Sequence, residues 1–425
     1  MKKDTKNKFS YSDDLFKWLF LASLIGILSG SASAFFLQAL DFVTTYREQN
    51  VEIIWFLPLG GLLIGFTYHY WGRQVARGNN QLVDEFKAPN KKVPFIMAPL
   101  VLFGTLITHL FGGSAGREGT AVQMSGAIAD QFSVLKDISL LDRKILLITG
   151  VAAGFSSVFG TPLAGIVFAL EVLLAAGLFF RSLFPLFITS FSAHYVCLWW
   201  GAGHTEYPAI DFFEIDAAIL LWTAFAGVLF GFAAFLFSAG TRFFSAVFAK
   251  IAYAPIRPLI AGVVISVAVY LMHTTKYVGL GIPIIEGAFL EQLPTYDFLI
   301  KILFTAFTLG AGFKGGEVTP LFFVGATLGN ALFWFVPLPL SVLVGMGFVA
   351  VFAGATHTPV ASTVMGMELF GYESWPFLFI ACFVSYLFSG RKGIYSSQSI
   401  SYPKAFLYKH LYRLLERFRA GLQKS

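Results

Sequence analysis

The stretch GGSAGREGTAVQMSG, residues 112–126, places an arginine and a glutamate side by side among glycines, between long apolar runs. Neighbouring residues on a helix point to different faces, so we expect Arg117 to bond a partner other than Glu118. A carboxylate in apolar surroundings is costly unless it is paired, protonated or hydrated, and inside a membrane it indicates a functional site. Glu118 is therefore the first candidate for a functional residue.

The composition indicates an integral membrane protein. Of the 425 residues 56% are hydrophobic and only 13% are charged, and the mean hydropathy is +0.72, whereas about a quarter of the residues of a soluble protein are charged. The apolar stretches range from too short to much longer than the about 20 residues of a simple span. This mixture predicts helices that are tilted, broken or re-entrant.

The net charge of +6 is concentrated near the two ends of the chain. Basic flanks predict that both termini are cytoplasmic, and residues 401–425 are typical of an amphipathic helix at the membrane surface. The basic residues form no stripe, so nucleic-acid binding is not expected. Cys197 and Cys382 lie in apolar stretches and provide neither a disulfide framework nor a metal-binding pattern, so we expect no cofactor and no metal.

Three pairs of segments repeat in the same order. Residues 116–129 align without a gap with residues 315–328, which superposes Glu118 on Glu317 and Thr120 on Thr319. The other pairs are TPLAGIVFALE (161–171) with TPVASTVMGME (358–368), and residues 78–86 with residues 279–289. Conserved separation of this kind is the signature of an internal duplication.

The repeat predicts two homologous halves. We expect the first membrane helix in residues 1–44, the repeats at 45–200 and 245–400, and connecting helices at 201–244. Such halves are typical of secondary transporters, which bind substrate between them near the middle of the membrane.

Glycines beside apolar runs predict breaks at which new helices begin. A helix N-terminus carries about half a positive charge and free N–H groups, and several such ends aimed at one point form an anion site. The candidate ends follow Gly78, Gly119 and Gly316 and lie around residues 354–359. The alternative is that glycines only allow close helix packing, which suits Gly61 and Gly65.

Glu118 would compete with an anion at these helix ends. Its charged carboxylate occupies the same positive potential, whereas protonation frees it to leave. Anion binding and proton binding would then exclude each other, which is the logic of an exchanger.

Taken together, GREGT (116–120), TPLAG (161–165), GGEVTP (315–320) and GIYSS (393–397) resemble the CLC anion channels and transporters. The resemblance spans about residues 60 to 400. It implies an all-helical membrane protein built as an inverted repeat of two halves, and a homodimer with one pore in each subunit. It also implies that Glu118 is the gating glutamate and that the Tyr395 hydroxyl contributes to the central anion site.

Departures from the chloride-type pattern are similar to the fluoride/proton antiporter branch. Asn79 replaces Ser or Pro, and Thr120 replaces Pro. Glu317 and Thr319 replace apolar residues, and Val172 replaces the internal proton-accepting glutamate of chloride/proton exchangers. The resemblance implies that Glu317 and Thr319 handle the anion and the proton.

Fluoride holds its water tightly, so a site that removes this water needs strong, closely placed donors. Amide and hydroxyl groups supply them, and Glu317 donates only when protonated, which we interpret as a second proton carrier. The alternative for Glu317 is a capped helix start. The expected proton-handling residues are Glu118 and Glu317, and the expected anion-binding residues are Asn79, Gly119, Thr120, Val318, Thr319 and Tyr395.

Three further residues receive simpler interpretations. Glu171 and Glu368 occupy equivalent positions after the Thr-Pro segments, which predicts a shared structural role at a helix end. Lys314 either lends positive potential to the anion path or snorkels to the membrane interface.

The sequence therefore predicts a multi-pass protein of the plasma membrane that exports fluoride in exchange for protons. The alternative is a chloride- or nitrate-selective exchanger or a gated anion channel. An intramembrane enzyme would need paired catalytic groups, such as Ser and His, in apolar segments, and we find none in the sequence.

Overall fold

The computed structural model describes residues 11–174, 176–210, 216–398 and 404–405, and in that part every regular element is a helix. The amphipathic segment expected at 401–425 lies outside the described residues apart from residues 404 and 405. Four helical segments are long and apolar enough to cross a membrane: 14–49, 51–70, 179–199 and 217–249.

The described helices form two sets of eight. The first set is α1 (Tyr11–Gln49), α2 (Leu57–Tyr70), α3 (Asn79–Lys87), α4 (Met97–Leu110), α5 (Glu118–Gln131), α6 (Leu140–Phe159), α7 (Pro162–Val172) and α8 (Phe179–Trp199). The second set is α9 (Ala217–Ala249), α10 (Ile256–Met272), α11 (Ile282–Leu290), α12 (Asp297–Gly310), α13 (Val318–Leu332), α14 (Leu340–Thr356), α15 (Pro359–Phe370) and α16 (Trp375–Phe388).

The two sets match position by position, which confirms the repeat. The third helix of each set, α3 or α11, has 9 residues, and the fourth, α4 or α12, has 14. The seventh helices have 11 and 12 residues and begin at the two Thr-Pro segments. These lengths are too short for a complete span, so the expected mixture of long and broken helices is present.

Two expected boundaries were wrong. The limits after residues 44 and 244 fall inside α1 and α9, because α1 continues through the polar residues that follow Val43 and α9 continues past Gly240. The helix expected after Gly119 begins before that glycine, at Glu118, since Arg117 takes the position that precedes the first turn.

Glycines hold neighbouring helices at very close range. A Cβ atom on Gly325 of α13 would collide with the carbonyl of Gly347 of α14, and the converse is also true. In the first half, a Cβ on Gly150 of α6 would lie 2.9 Å from the Cα of Gly126 in α5. Close packing through small residues is the ordinary way in which membrane helices associate.

Helices α7 and α15 exchange carboxylate caps between the two halves. Each begins with a proline, which has no N–H, so the next two residues present the first free donors. Glu368 of α15 accepts from the N–H groups of Leu163 and Ala164 at 3.1 and 2.7 Å. Glu171 of α7 accepts in return from Val360 and Ala361 at 3.1 and 2.8 Å. The shared structural role expected for the two glutamates is therefore a reciprocal cap.

We expect the reciprocal caps to stabilise the fold. Glu171→Ala or Glu368→Ala leaves two N–H groups of the opposite helix without an acceptor, and hydrogen bonds to charged groups contribute about 1.5–3 kcal/mol. Each variant should melt at a lower temperature in detergent than the parent protein. Glu373→Ala, at an exposed position, is the control, and equal melting of all three variants would contradict the role.

We expect Gly325→Ala to destabilise the contact between α13 and α14. Overpacking of a close interface costs about 1–3 kcal/mol, because α14 must move away from the new methyl group. Thermal unfolding in detergent measures the effect, and Gly203→Ala, which has open space around the added Cβ, should melt like the parent. A Gly325→Ala variant as stable as Gly203→Ala would show that the two helices do not need this separation.

Candidate anion and proton site

Two glycine segments cross at the centre of the molecule. The N–H of Gly116 donates to the carbonyl of Gly316 at 2.6 Å, and the N–H of Gly316 donates to the carbonyl of Gly116 at 2.7 Å, as in an antiparallel bridge. Helix α5 begins two residues after Gly116, at Glu118, and α13 begins two residues after Gly316, at Val318. The pairing therefore brings the N-termini of α5 and α13 together.

The Glu118 carboxylate lies at the N-terminus of α13. The side chain is 2% exposed, and its Oε2 accepts from the backbone N–H of Thr319 and from that of Arg117, each at 3.1 Å. The hydroxyl of Thr319 donates to Oε1. These are the donors that a bound anion would use, so the carboxylate and an anion cannot both occupy this position.

Arg117 corrects an expectation. Its Nε lies 3.8 Å from Glu118 Oε1 and has no hydrogen-bond acceptor among the described residues. The expected separate partner is therefore not found there. The rule for neighbouring residues applies within a helix, whereas Arg117 precedes the first turn of α5.

A cavity of about 140 Å³, which we call the site cavity, adjoins these helix ends. Asn79, Tyr395 and Glu317, all predicted site residues, line it. Asn79 opens α3 after Gly78, whose φ of +54° favours glycine, and its Oδ1 has no hydrogen-bond partner in the described chain. The structure thus brings three sequence-predicted residues to one small polar space.

Gly119 and Thr319 do not line the cavity but lie against residues of the site. A Cβ on Gly119 would lie 3.0 Å from Asn79 Nδ2, so the absence of a side chain lets the amide approach the N-terminus of α5. Thr319 is 3% exposed and contacts Glu118 through both its N–H and its hydroxyl. Val318, the first residue of α13, has a buried side chain.

Glu317 precedes the first turn of α13 and is half-buried. Its side chain makes no capping hydrogen bond, so the interpretation as a capped helix start was wrong. The side chain instead lines the site cavity. The expected role of Glu317 as a proton carrier stays a prediction.

The Thr120 hydroxyl contacts a neighbouring helix. It bonds the hydroxyl of Thr105 in α4 at 2.7 Å, and the backbone N–H of Thr120 donates to the carbonyl of Arg117 at 3.1 Å. Neither contact tests the expected anion-binding role of Thr120, which stays a prediction.

Val172 lies in a mainly apolar environment beside the site cavity. With Asn79 and Tyr395 it lines a second cavity of only about 20 Å³, whose remaining walls are apolar side chains such as Phe168. None of the described residues in this lining carries a carboxyl group.

Sequence reasoning missed Gln123 and Tyr68, which also line the site cavity. Gln123 Nε2 donates to the carbonyl of Gly119 at 3.0 Å, one helical turn away. The available signal was an amide within the apolar run that follows Gly119. Tyr68 carried no such signal, since an aromatic residue near the end of a membrane helix is ordinary.

The chain is similar in sequence to known anion channels and transporters. Residues 60–390 match the family described as voltage gated chloride channel. A chloride/fluoride channel protein of Pseudomonas syringae pv. tomato is 47% identical over 395 residues, which cover 91% of this chain and 87% of that protein. An H⁺/Cl⁻ exchange transporter of Vibrio cholerae is 28% identical over 416 residues, which cover 87% of this chain and 85% of that protein.

Solved structures agree with the sequence relatives. The crystal structure of a CLC-type fluoride/proton antiporter superposes with a TM-score of 0.88 at 31% identity, covering 93% of this chain and 100% of that one. A slow cyanobacterial Cl⁻/H⁺ antiporter superposes with a TM-score of 0.79 at 18% identity, covering 89% of this chain and 96% of that one, which shows a shared fold.

We expect Glu118→Gln to strengthen anion binding to the purified protein. A neutral amide holds the N–H groups of α13 less strongly than a carboxylate does, so an anion should bind about tenfold more tightly, or about 1.4 kcal/mol. Isothermal titration calorimetry measures the affinity, with the exposed Glu373→Gln as the control. Unchanged affinity would show that Glu118 does not occupy the anion position.

Proposed function

The chain belongs to the voltage-gated chloride channel family, and on that basis we propose that it exports fluoride across the cell membrane in exchange for protons. The observation that carries the proposal is the Glu118 carboxylate bound by Thr319 at the N-terminus of α13, next to the cavity lined by Glu317. A channel needs only an open path, whereas this arrangement makes one position serve either a carboxylate or an anion.

The exchange cycle follows from competition for the N-terminus of α13. When Glu118 is charged, its carboxylate takes the N–H and the hydroxyl of Thr319. When it is protonated, these donors interact with it less strongly, and an anion can replace it. Glu317, which lines the site cavity, would accept the proton on the opposite leg of the cycle. Proton and anion then pass the centre in turn.

Several observations favour fluoride as the anion. A small, strongly hydrated anion needs hydrogen-bond donors in place of its water, and Asn79, Thr319 and Tyr395 bring an amide and two hydroxyl groups near the helix ends. Two of the relatives described above carry fluoride in their names. The apolar surroundings of Val172 fit a chain that uses Glu317, and not a glutamate at position 172, as its second carrier.

The proposal includes the assembly and the setting. We propose a homodimer with one pore in each subunit, embedded in the plasma membrane with both termini in the cytoplasm. Four helices suited by length and composition to span a membrane support a multi-pass protein, and the basic flanks of the chain support the orientation. The family transports ions, so we assign the chain no enzymatic role.

The test is transport by the purified protein in liposomes. Vesicles loaded with fluoride or with chloride are followed with an anion electrode and a pH electrode at the same time. We expect fluoride efflux accompanied by proton uptake into the vesicles, with little chloride efflux. Glu118→Gln should abolish proton movement, because the group that competes with the anion no longer takes up a proton. Glu317→Gln should also abolish it, because the second carrier no longer takes up a proton.

Three results would contradict parts of the proposal. Chloride efflux as fast as fluoride efflux would replace it with a chloride transporter. Anion efflux without proton movement would make the protein a channel that Glu118 gates. Proton-coupled exchange that survives Glu317→Gln would remove Glu317 as a carrier.

A further inference from the structure

Two lysines, Lys301 in α12 and the half-buried Lys314 after it, differ in their partners. Lys301 is fully buried, and its ammonium donates to the carbonyls of Tyr277 and Gly279 at 3.1 and 2.8 Å. The ammonium of Lys314 has no hydrogen-bond acceptor and no carboxylate partner among the described residues. It lies 4.0 Å from the centre of the Tyr68 ring. An ammonium has three donors, so Lys314 retains donors for something that the protein itself does not supply.

Lys314 lies between two cavities. It lines the site cavity together with Asn79 and Glu317. It also lines a different cavity of about 390 Å³, which we call the basic cavity, where α2, α10 and α12 meet. Tyr68, Ala76 and Lys314 are the residues common to both linings.

The basic cavity suits an anion. His69, Arg73 and Arg257 line it, and none of its described lining residues is a carboxylate. Arg257 and Arg73 are held by backbone carbonyls, which fixes their positions: Arg257 Nε donates to Ile251 at 2.9 Å and Arg73 Nε donates to His69 at 2.8 Å. Their charges still raise the local anion concentration, because a concave surface of one sign focuses the field.

The backbone around Lys314 restricts the positions that its side chain can take. Gly104 of α4 leaves the space for its side-chain stem, since a Cβ there would lie 2.8 Å from Lys314 Cγ. Gly312 and Gly315 flank the residue with φ angles of +106° and +153°. The chain thus turns sharply on both sides of Lys314 and directs it against Tyr68.

We propose that Lys314 binds the transported anion as it passes between the basic cavity and the site cavity. The proposal rests on the proposed function, since it takes the anion to be fluoride. The ammonium then exchanges its contact with the Tyr68 ring for a charge-assisted hydrogen bond to fluoride, and releases it to Asn79 and the helix N-termini. Lys314 is in this view a further anion-binding residue, and its positive charge is what the step requires.

The test measures fluoride transport in liposomes that contain the parent protein, Lys314→Arg, which keeps the positive charge, or Lys314→Met, which removes it. We expect Lys314→Met to raise the KM for fluoride about tenfold or more, the size of a lost hydrogen bond to a charged group, and Lys314→Arg to stay within about twofold. An unchanged KM in Lys314→Met would overturn the proposal. So would a changed number of protons per fluoride at constant KM, since Lys314 would then act on Glu317 and not on the anion.

A cysteine variant keeps the proposal testable if Lys314→Met does not fold. Lys314→Cys would be treated with an aminoethyl or a sulfonatoethyl methanethiosulfonate, since the native Cys197 and Cys382 are buried. The positive adduct should restore the KM and the negative adduct should not; equal effects of both would overturn the proposal. Lys92→Cys, at an exposed position, is the matched control. Failure of the proposed function can be distinguished from failure of the Lys314 proposal, because in the first case the parent protein itself would transport no fluoride.

Discussion

The antiparallel pairing of Gly116 with Gly316 is the constraint on which the centre of the molecule depends. It fixes two loops against each other and so fixes the distance between the N-termini of α5 and α13. Because Glu118 is the first residue of α5, its carboxylate reaches the first turn of α13. A carboxylate from the first half thereby accepts hydrogen bonds from the helix N-terminus of the second half, and neither half forms the site alone.

Three carboxylates at the starts of repeated helices are satisfied by backbone groups. Glu118, Glu171 and Glu368 all accept hydrogen bonds from N–H groups at helix N-termini. The buried ammonium of Lys301 likewise donates to carbonyls. Fixed dipoles of this kind stabilise a charge without a counter-charge beside it. Elsewhere, buried charges are paired with side chains, as Asp130 is with Arg143 and Asp297 is with Lys276.

The sequence predicted those features that its internal repeat makes visible. Glu118, Glu317 and the Thr-Pro segments align between the halves, and all of them lie at or beside helix starts. The boundaries at residues 44 and 244 were not predictable, because α1 stays helical into a polar segment after Val43 and α9 stays helical past Gly240. The partner of the Thr120 hydroxyl and the contact of Lys314 with Tyr68 depend on neighbouring helices, and no local pattern reports such tertiary neighbours.

The exchanged caps of α7 and α15 give the two halves a symmetric contact. A contact in which each of two equivalent elements gives the other the same group is the isologous contact of a two-fold dimer. Glu171 and Glu368 are therefore equivalent positions of an isologous contact that lies inside one polypeptide. Each half carries the carboxylate that the first turn of the other half's helix needs, so neither helix start is satisfied within its own half.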